Sequence, residues 1–405
     1  LYLRWVEFAT FSPMMRTHSK VDPEPYNYGS VLDDVRRYIN MRYSYLPYTY
    51  TLAYENATKG MPLARPINFH STNSSFGANS TDEYLWGRDI LVAPIINSST
   101  SRQITLPEGR WVDLNDLSRV YDGNTTISYD APLSVLPHFG RSGSIITRYT
   151  QESYTTTGEI DHSALSLTYL MSDDSSNQVT ANVYDDDRIS TRSLEDNAYL
   201  LTTITGSQLR NGHQIAFDYE GNGYDGMPSK RTVTIQIPRF TAGIDHIQST
   251  ASAEAYALDE NTYFEQVSNM DEFNNAKVPA YYMANDNTLH IKADVPTDSP
   301  SAILIANSPS AISSIAADNS SIMLEYSSAT GVFSYAMPSG MSDACIKVYD
   351  VTGMATDLIG GLTADGTVRQ TSPTHSLSGG MYLATLHARN ADGSAVKHTV
   401  KIGVR

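Results

Sequence analysis

The sequence predicts the end of a larger α/β domain followed by a long all-β region in three parts. Apolar residues recur at steps of three and four over residues 1–66, the period of helices. Beyond Pro66 the texture changes to short β-branched and aromatic runs separated by Gly, Asn, Asp and Pro clusters. A helical piece of that length is an odd independent domain ahead of β modules and reads better as the last part of something larger.

In the helical part, Leu1, Trp5 and Phe8 share one face, and Pro13 ends the first helix. A second helix is expected from near Ser30, with Asp33 three residues on in a capping-box spacing. Asp33 and Asp34 then fall in the first turn, where negative charge suits the helix dipole. Its apolar face runs Leu32, Val35, Ile39, Tyr43, Leu46, Tyr50, Ala53, Ala57. Pro47 has no N–H and crowds the preceding turn, so it must kink or split this helix. Gly60 is a suitable stop.

The first β segment is 67–150. It holds the apolar run 90–96, interrupted at Pro94, and "RQITLPEGRWVDL", a hairpin candidate around Pro107 and Gly109. "LSVLPHFGRSGSIITRY" closes it near Tyr149. In the second segment, 151–308, Val233, Ile235 and Ile237 alternate with Thr232, Thr234 and Gln236. Leu289, Ile291, Ala293 and Val295 alternate with His290, Lys292 and Asp294. A period of two gives one wet and one dry face, as in a β-sandwich. The third segment, 309–405, has short strands at regular spacing, with Val400, Ile402 and Val404 facing one way, and suggests a small immunoglobulin-like sandwich behind a serine-rich linker at 308–314.

The chain has 405 residues, enough for about two to four domains, and 40% hydrophobic residues, enough for real cores. A net charge of −16 repels phosphate backbones and argues against nucleic-acid binding, while leaving neutral substrates such as sugars open. The one cysteine, Cys345, rules out an internal disulfide and a cysteine metal site. No apolar run reaches membrane-spanning length. The chain opens at Leu1 inside a helical pattern, from which the N-terminal part of the natural protein is expected to be missing. Asn-x-Ser/Thr triplets at Asn73, Asn79 and Asn124 are glycan acceptors by pattern, but chance explains them in so Asn-, Ser- and Thr-rich a chain.

Several motifs agree in order and spacing: "LYLRWVEFATFSPMMRTHS", "EPYNYG", "RRYINMRYSYLPYTYTLAYENATKGMPLARP" and "DEYLWGRDILVAPI". Together they resemble the C-terminal end of glycoside hydrolase family 31, which includes α-glucosidases and α-xylosidases. "APLSVLPHFGRSGSII" resembles the end of that family's proximal β-sandwich. "NVYDDDRIS" more weakly resembles the start of its distal one. The resemblance implies that 1–66 finish a (β/α)8 catalytic barrel, followed by sandwiches at 67–150 and 151–308. Barrel sites lie at the C-terminal ends of strands, and "FSPMMRTHS" would cover the last strand and the loop leaving it. His18 then matches a histidine that hydrogen-bonds a sugar hydroxyl, and Arg16 a neighbouring arginine paired to a carboxylate. On residue types alone, Arg16 reads as a structural ion pair and His18 as a satisfied loop residue.

Retaining glycosidases need two carboxyl groups about 5 Å apart. The resemblance places both aspartates ahead of Leu1, so no catalytic residue is expected in this chain, nor any metal or cofactor. Asp89 reads as a turn or ion-pair residue at a strand entrance. The triplet Asp185, Asp186 and Asp187 reads as a solvated turn, with a cation site as the functional alternative. Tyr26 stands where the family usually has tryptophan, keeping an aromatic wall, and Glu24 reads as a turn residue rather than a pocket lining.

In the last segment "CIKVYDVTG", "SLSGGMYLATL" and "KHTVKIGV" resemble the C-terminal sorting domain of Bacteroidetes type IX secretion, against an ordinary spacer sandwich. The expectation is therefore the C-terminal portion of a secreted or cell-surface retaining α-glycosidase, with a periplasmic location as the alternative. It acts on terminal α-linked glucose or xylose of oligosaccharides and is inactive as this piece alone. Its barrel remnant should expose a face that is otherwise buried. The alternatives are an α-transglycosylase of the same family and a non-catalytic carbohydrate-binding array of β-sandwiches. The sugar, the linkage and the oligomeric state are not legible.

Overall fold

The computed structural model describes residues 1–22, 24–72, 76–151, 153–173, 178–209, 212–250, 264–277, 279–307, 323–327, 331–350, 355–375, 377–391 and 395–404. The expected linker at 308–314 and the Asn73 triplet lie outside them. The chain divides into two compact units, Leu1–Ser310 and Ala311–Arg405. Among the described residues no helix is long and apolar enough to cross a membrane.

The first unit opens with three helices: α1 (Tyr2–Thr10), α2 (Leu32–Ser44) and α3 (Leu46–Lys59), with a 3₁₀ stretch at Pro25–Val31 ahead of α2. The capping box is not made. Ser30 lies inside the 3₁₀ stretch, and α2 starts behind Val31 without a side-chain cap. Asp33 and Asp34 instead pair along the first turn with Arg36 (2.7 Å) and Arg37 (3.2 Å). Pro47 splits the helix at Tyr45 and sits in the first turn of α3, where a missing N–H costs nothing. Gly60 ends α3 in the left-handed region (φ +68°).

The split changes which residues are buried. Val35, Tyr38, Tyr45, Tyr48, Thr51 and Leu52 are inside, whereas Ala53 and Ala57, expected on the apolar face, are exposed. On α1 the expected face points outward: Leu1, Trp5 and Phe8 are 93%, 62% and 36% exposed, and Leu3 and Val6 carry the packing.

The helices do not close on themselves. They cover one face of a six-stranded sheet ordered Ala64–Arg65, Tyr84–Trp86, Ile90–Val92, His138–Arg141, Arg110–Asp113, Val120–Asp122. Alternation decides the two faces. Trp86, Ile90, Val92 and Val112 pack under the helices with Leu3, Val6, Tyr38 and Tyr48. Leu85, Leu91, Trp111 and Phe139 pack on the other side with Ile104, Leu106 and Tyr129 of the strand pair Ser101–Leu106 and Thr125–Asp130. The hairpin expected around Pro107 is therefore absent. Ser101–Leu106 pairs with Thr125–Asp130, and Arg110–Asp113 enters the six-stranded sheet beside His138–Arg141.

The strand Ser144–Tyr149, which closes the first β segment in sequence, is hydrogen-bonded to Ala164–Leu170 in the next sheet. That sheet continues through Lys230–Ile237 (parallel to Ala164–Leu170), Leu289–Pro296, Ala280–Met283 and Glu265–Gln266. A five-stranded sheet runs Val179–Asp185, Leu200–Leu209, Gly212–Glu220, Ser301–Asn307, Ile244–Thr250. Both sheets feed one core, with Val233, Ile235, Ile237, Leu289 and Ile291 from the first and Val183, Ile204, Phe217 and Ile303 from the second. This is the alternation the sequence showed. Tyr43 and Leu46 pack against that core, and Tyr50 and Tyr54 against Tyr184, Tyr199 and Leu201.

The second unit has a three-stranded sheet (Met323–Ser327, Val332–Ala336, Arg369–Thr371) and a four-stranded sheet ordered Ala355–Ile359, Ser342–Tyr349, Gly380–Arg389, Ala395–Val404. Leu324, Phe333, Ile346, Val348, Leu386 and Ile402 form its core, with Val400 and Val404 packed against it. Cys345 is a half-buried free thiol.

Candidate functional site

The loop leaving α1 is fixed before it reaches the predicted site residues. Phe11 is buried against the rings of Tyr45 (5.1 Å) and His138 (5.6 Å). A helix ends with carbonyls that have no partner inside the helix. Here Arg42 supplies the donors. Its Nη1 donates to the carbonyls of Ala9 (3.1 Å), Thr10 (3.1 Å) and Ser12 (2.7 Å), and its Nη2 to that of Pro13 (3.2 Å). Tyr84 Oη donates to the carbonyl of Phe11 (2.8 Å). The planar guanidinium, with five donors and no acceptor, suits this cluster of oxygens. Burial draws Arg42 down from the ordinary arginine value.

Beyond this anchor, Arg16 and His18 are exposed and in contact, Arg16 Nη2 to His18 Nδ1 at 3.1 Å. A guanidinium only donates, so Nδ1 accepts and the neutral ring carries its proton on Nε2. Among the described residues no carboxylate lies within ion-pair distance of Arg16, and its guanidinium meets His18. His18 is not walled into an apolar interior.

The segment after it is organised by Asp22. Its Oδ1 accepts from the Glu24 N–H (3.1 Å), its Oδ2 from Tyr26 Oη (3.1 Å), and its carbonyl from Asn27 Nδ2 (3.4 Å). Hydrogen bonding from Asn27 and from the Glu24 backbone holds Asp22 below the ordinary aspartate value. Glu24 starts the 3₁₀ stretch, as the turn reading expects, and Tyr26 is exposed. Tyr28 stacks on Tyr2 of α1 (3.8 Å between centroids, 7° between planes), tying the segment to the helix. The result is an exposed strip of donors and aromatic rings on a stiff base, suited to hydrogen-bonding a hydroxylated ligand.

The Asp185, Asp186 and Asp187 triplet is not a solvated turn. Asp185 and Asp186 are 5% and 3% exposed. Asp185 is held between the guanidinium groups of Arg188 and Arg231 and accepts from Tyr224 Oη (2.6 Å). Asp186 accepts from Tyr50 Oη (2.7 Å), Tyr184 Oη (2.9 Å), Ser193 Oγ (2.9 Å) and the Arg188 N–H (2.8 Å). Burial alone would raise Asp186, but these donors outweigh it and hold the acid below its ordinary value. Asp187 caps a turn, through the N–H groups of Ile189 and Ser190. Both carboxylate oxygens of Asp185 and of Asp186 are taken by protein donors. Among the described residues no group of three or more His, Cys, Asp or Glu is placed to hold a metal.

Asp89 sits in the turn before Ile90–Val92. Its N–H donates to Tyr48 Oη (3.3 Å) and its carbonyl accepts from the Arg141 N–H (2.8 Å). Among the described residues its carboxylate has no ion-pair partner, so of the turn and ion-pair readings the structure shows the turn. Arg42 and Tyr84 escaped the sequence reading. Arg42 looks like one more surface arginine of "RRYINMRYS", and nothing local marks the carbonyls it meets 29 to 33 residues away.

Residues 1–52 match the glycosyl hydrolases family 31 TIM-barrel domain, and residues 60–146 the glycosyl hydrolase family 31 C-terminal domain. The chain is 34% identical over 151 residues to α-glucosidase 2 of Bacillus thermoamyloliquefaciens, covering 36% of this chain and 19% of that protein. It is 30% identical over 185 residues to an isomaltosyltransferase of Sporosarcina globispora, covering 42% of this chain and 17% of that protein. The chain thus spans about a fifth of the curated relatives it matches. In fold it resembles a family 31 dextranase of Flavobacterium johnsoniae solved with isomaltotriose (TM-score 0.65, 22% identity, 76% of this chain and 37% of that one). Its homologues are family 31 glycoside hydrolases and transferases.

Proposed function

We propose that this chain is the C-terminal portion of a retaining α-glycosidase of family 31, acting on terminal α-linked glucose or xylose of oligosaccharides. In this reading α1 to α3 finish the catalytic barrel, the following sheets form its proximal and distal β-sandwiches, and His18 and Arg16 line the sugar subsite. The observation that carries it is the loop after α1. It is clamped by Arg42 and Tyr84 yet presents an exposed His18 whose Nε2, among the described residues, has no hydrogen-bond partner. The N–H there donates to a ring hydroxyl, and Arg16 holds the tautomer that allows it. The outward face of Leu1, Trp5 and Phe8 supports the barrel reading, since such a face suits further barrel elements. It also speaks against a free-standing carbohydrate-binding array, whose helices would close over their own apolar residues.

The reaction needs a nucleophilic carboxylate and a second carboxyl group that protonates the leaving oxygen and then activates water. The reading assigns both to chain preceding Leu1. In the complete enzyme, His18→Ala is expected to lower kcat/KM on p-nitrophenyl α-glucoside or α-xyloside by about 100-fold, the scale of one lost hydroxyl contact in a buried site. A change within about threefold, with the fold intact, would overturn the subsite role. The 405-residue chain alone is expected to show no turnover, and turnover by it would overturn the placement of the acids.

A transglycosylase is the second reading, favoured by the likeness to an isomaltosyltransferase. It uses the same covalent intermediate and prefers a sugar hydroxyl over water. Product analysis on maltooligosaccharides separates the two, longer oligosaccharides indicating transfer. For the second unit the reading is a type IX export module, supported by its "CIKVYDVTG" and "GGMYLATL" stretches. It implies a secreted or cell-surface enzyme, and periplasmic retention of the complete protein in a type IX-competent host would overturn it.

A further inference from the structure

A cavity of about 620 Å³ lies between α3, the turn carrying Arg88 and Asp89, and the strand Val179–Asp185. Its size is that of a small-molecule site. Part of its charged lining is settled within the protein. Arg65 Nη2 pairs with Glu55 (3.1 Å), Nε donates to the Pro62 carbonyl (2.7 Å), and Nη1 meets His70 Nε2 (2.9 Å). Burial and then the charges of Arg65, Arg88 and Arg141 push His70 down to about 4, so its ring is neutral.

Arg88 and Asp89 are different. Among the described residues neither side chain has a hydrogen bond or an ion pair, although both line the cavity. Burial pushes the Asp89 carboxyl up to about 6, against the pull of Arg88 and Arg141. A half-buried carboxylate without donors is costly, and a ligand that brings donors recovers that cost.

The character of the missing ligand follows from the lining. Donors (Arg88 and Lys59) and an acceptor (Asp89) line it together with the apolar Leu52 and Ile145. An anion would meet the Asp89 carboxylate, and a cation would meet Arg88 and Lys59. Neighbouring hydroxyls on an apolar ring suit all of them, because each hydroxyl both donates and accepts. We propose that this cavity is an ancillary binding site for a neutral pyranose, with Asp89 and Arg88 as the residues that hold its hydroxyls. The site lies outside the His18 loop, needs no catalytic carboxyl pair, and does not depend on the proposed activity.

The test is isothermal titration of the 405-residue chain with glucose, xylose and inorganic phosphate, repeated on Asp89→Ala, Arg88→Ala and His18→Ala. Glucose or xylose is expected to bind in the millimolar range. Either cavity variant should weaken it about tenfold or more, the scale of a lost charge-assisted hydrogen bond, while His18→Ala retains it. Arg88 is exposed, so Arg88→Ala keeps the test valid if Asp89→Ala fails to fold. Absence of sugar binding overturns the proposal. So does sugar binding lost in His18→Ala but kept in both cavity variants, which would favour the subsite reading instead. Phosphate binding that depends on Arg88 while the sugars do not bind overturns it in favour of an anion site.

Discussion

Replacing Arg42 by alanine tests whether the loop carrying His18 is held by one guanidinium. The substitution removes donors from four carbonyls, those of Ala9, Thr10, Ser12 and Pro13. A hydrogen bond to a charged group contributes about 1.5–3 kcal/mol. The four are not additive, because Ser12 and Pro13 lie toward solvent and water takes over part of their bonding. The carbonyl of buried Thr10 has no such replacement. The expected loss is therefore about 2–4 kcal/mol for Arg42→Ala. For Arg42→Lys it is about 1–2 kcal/mol, since one ammonium reaches fewer of the oxygens. Several folding units share the chain, so the direct readout is amide exchange along 11–19, with urea unfolding of the whole chain beside it. Arg42→Ala should speed exchange in that segment far more than in the strand Lys230–Ile237. Unchanged exchange along 11–19, with stability within about 0.5 kcal/mol of the parent, would refute the clamp.

Other substitutions test the surrounding packing. Glu7 is fully buried, one oxygen on Arg4 (2.9 Å) and the other without a partner, and burial pushes its pKa up from 4.5 to about 7 against the pull of Arg4. The folded state keeps this proton longer than the unfolded chain, so stability falls as pH rises from about 4.5 through about 7. Between pH 5 and pH 8 the stability of Glu7→Gln relative to the parent should improve by about 2–3 kcal/mol, read from urea midpoints, and no change would sink the assignment. Gly87 has φ +68°, and a Cβ there would stand 2.5 Å from Tyr48 Oη and 2.7 Å from a Leu52 methyl. Gly87→Ala should cost about 2–4 kcal/mol in thermal unfolding. Tyr50→Phe removes the 2.7 Å bond to Asp186 and should cost about 1–2 kcal/mol. Asp186 should then titrate higher by NMR, and an unmoved Asp186 would show that Tyr50 does not support it.

The parts legible in the sequence are those set by local periodicity. Val233, Ile235 and Ile237 declare their buried face because each strand alternates independently of its neighbours. Gly60 declares the end of α3 because only its backbone conformation matters. Pro47 announces a break but not the phase on its far side, so Tyr48 and Leu52 took the places expected of Ala53 and Ala57. "RQITLPEGRWVDL" has the composition of a hairpin, but its two strands find better partners in different sheets. Strand pairing depends on distant segments that composition does not reveal. The same holds for the candidate site. His18 and Arg16 stand together in one short motif. Arg42 acts from another helix, and Asp185 looks like a solvated acid until Arg231, 46 residues on, is seen against it.

Strands His138–Arg141 and Ser144–Tyr149 are separated by only Ser142 and Gly143 yet belong to different sheets. The two β layers are therefore joined by a two-residue connection that keeps the end of one close to the start of the other. Genetic exchange that joined 67–150 to a foreign partner would carry away an edge strand evolved to pair elsewhere, its backbone left open to aggregation. Recombination in such proteins should respect the larger block, with crossovers falling beyond the second layer rather than at the midpoint composition suggests.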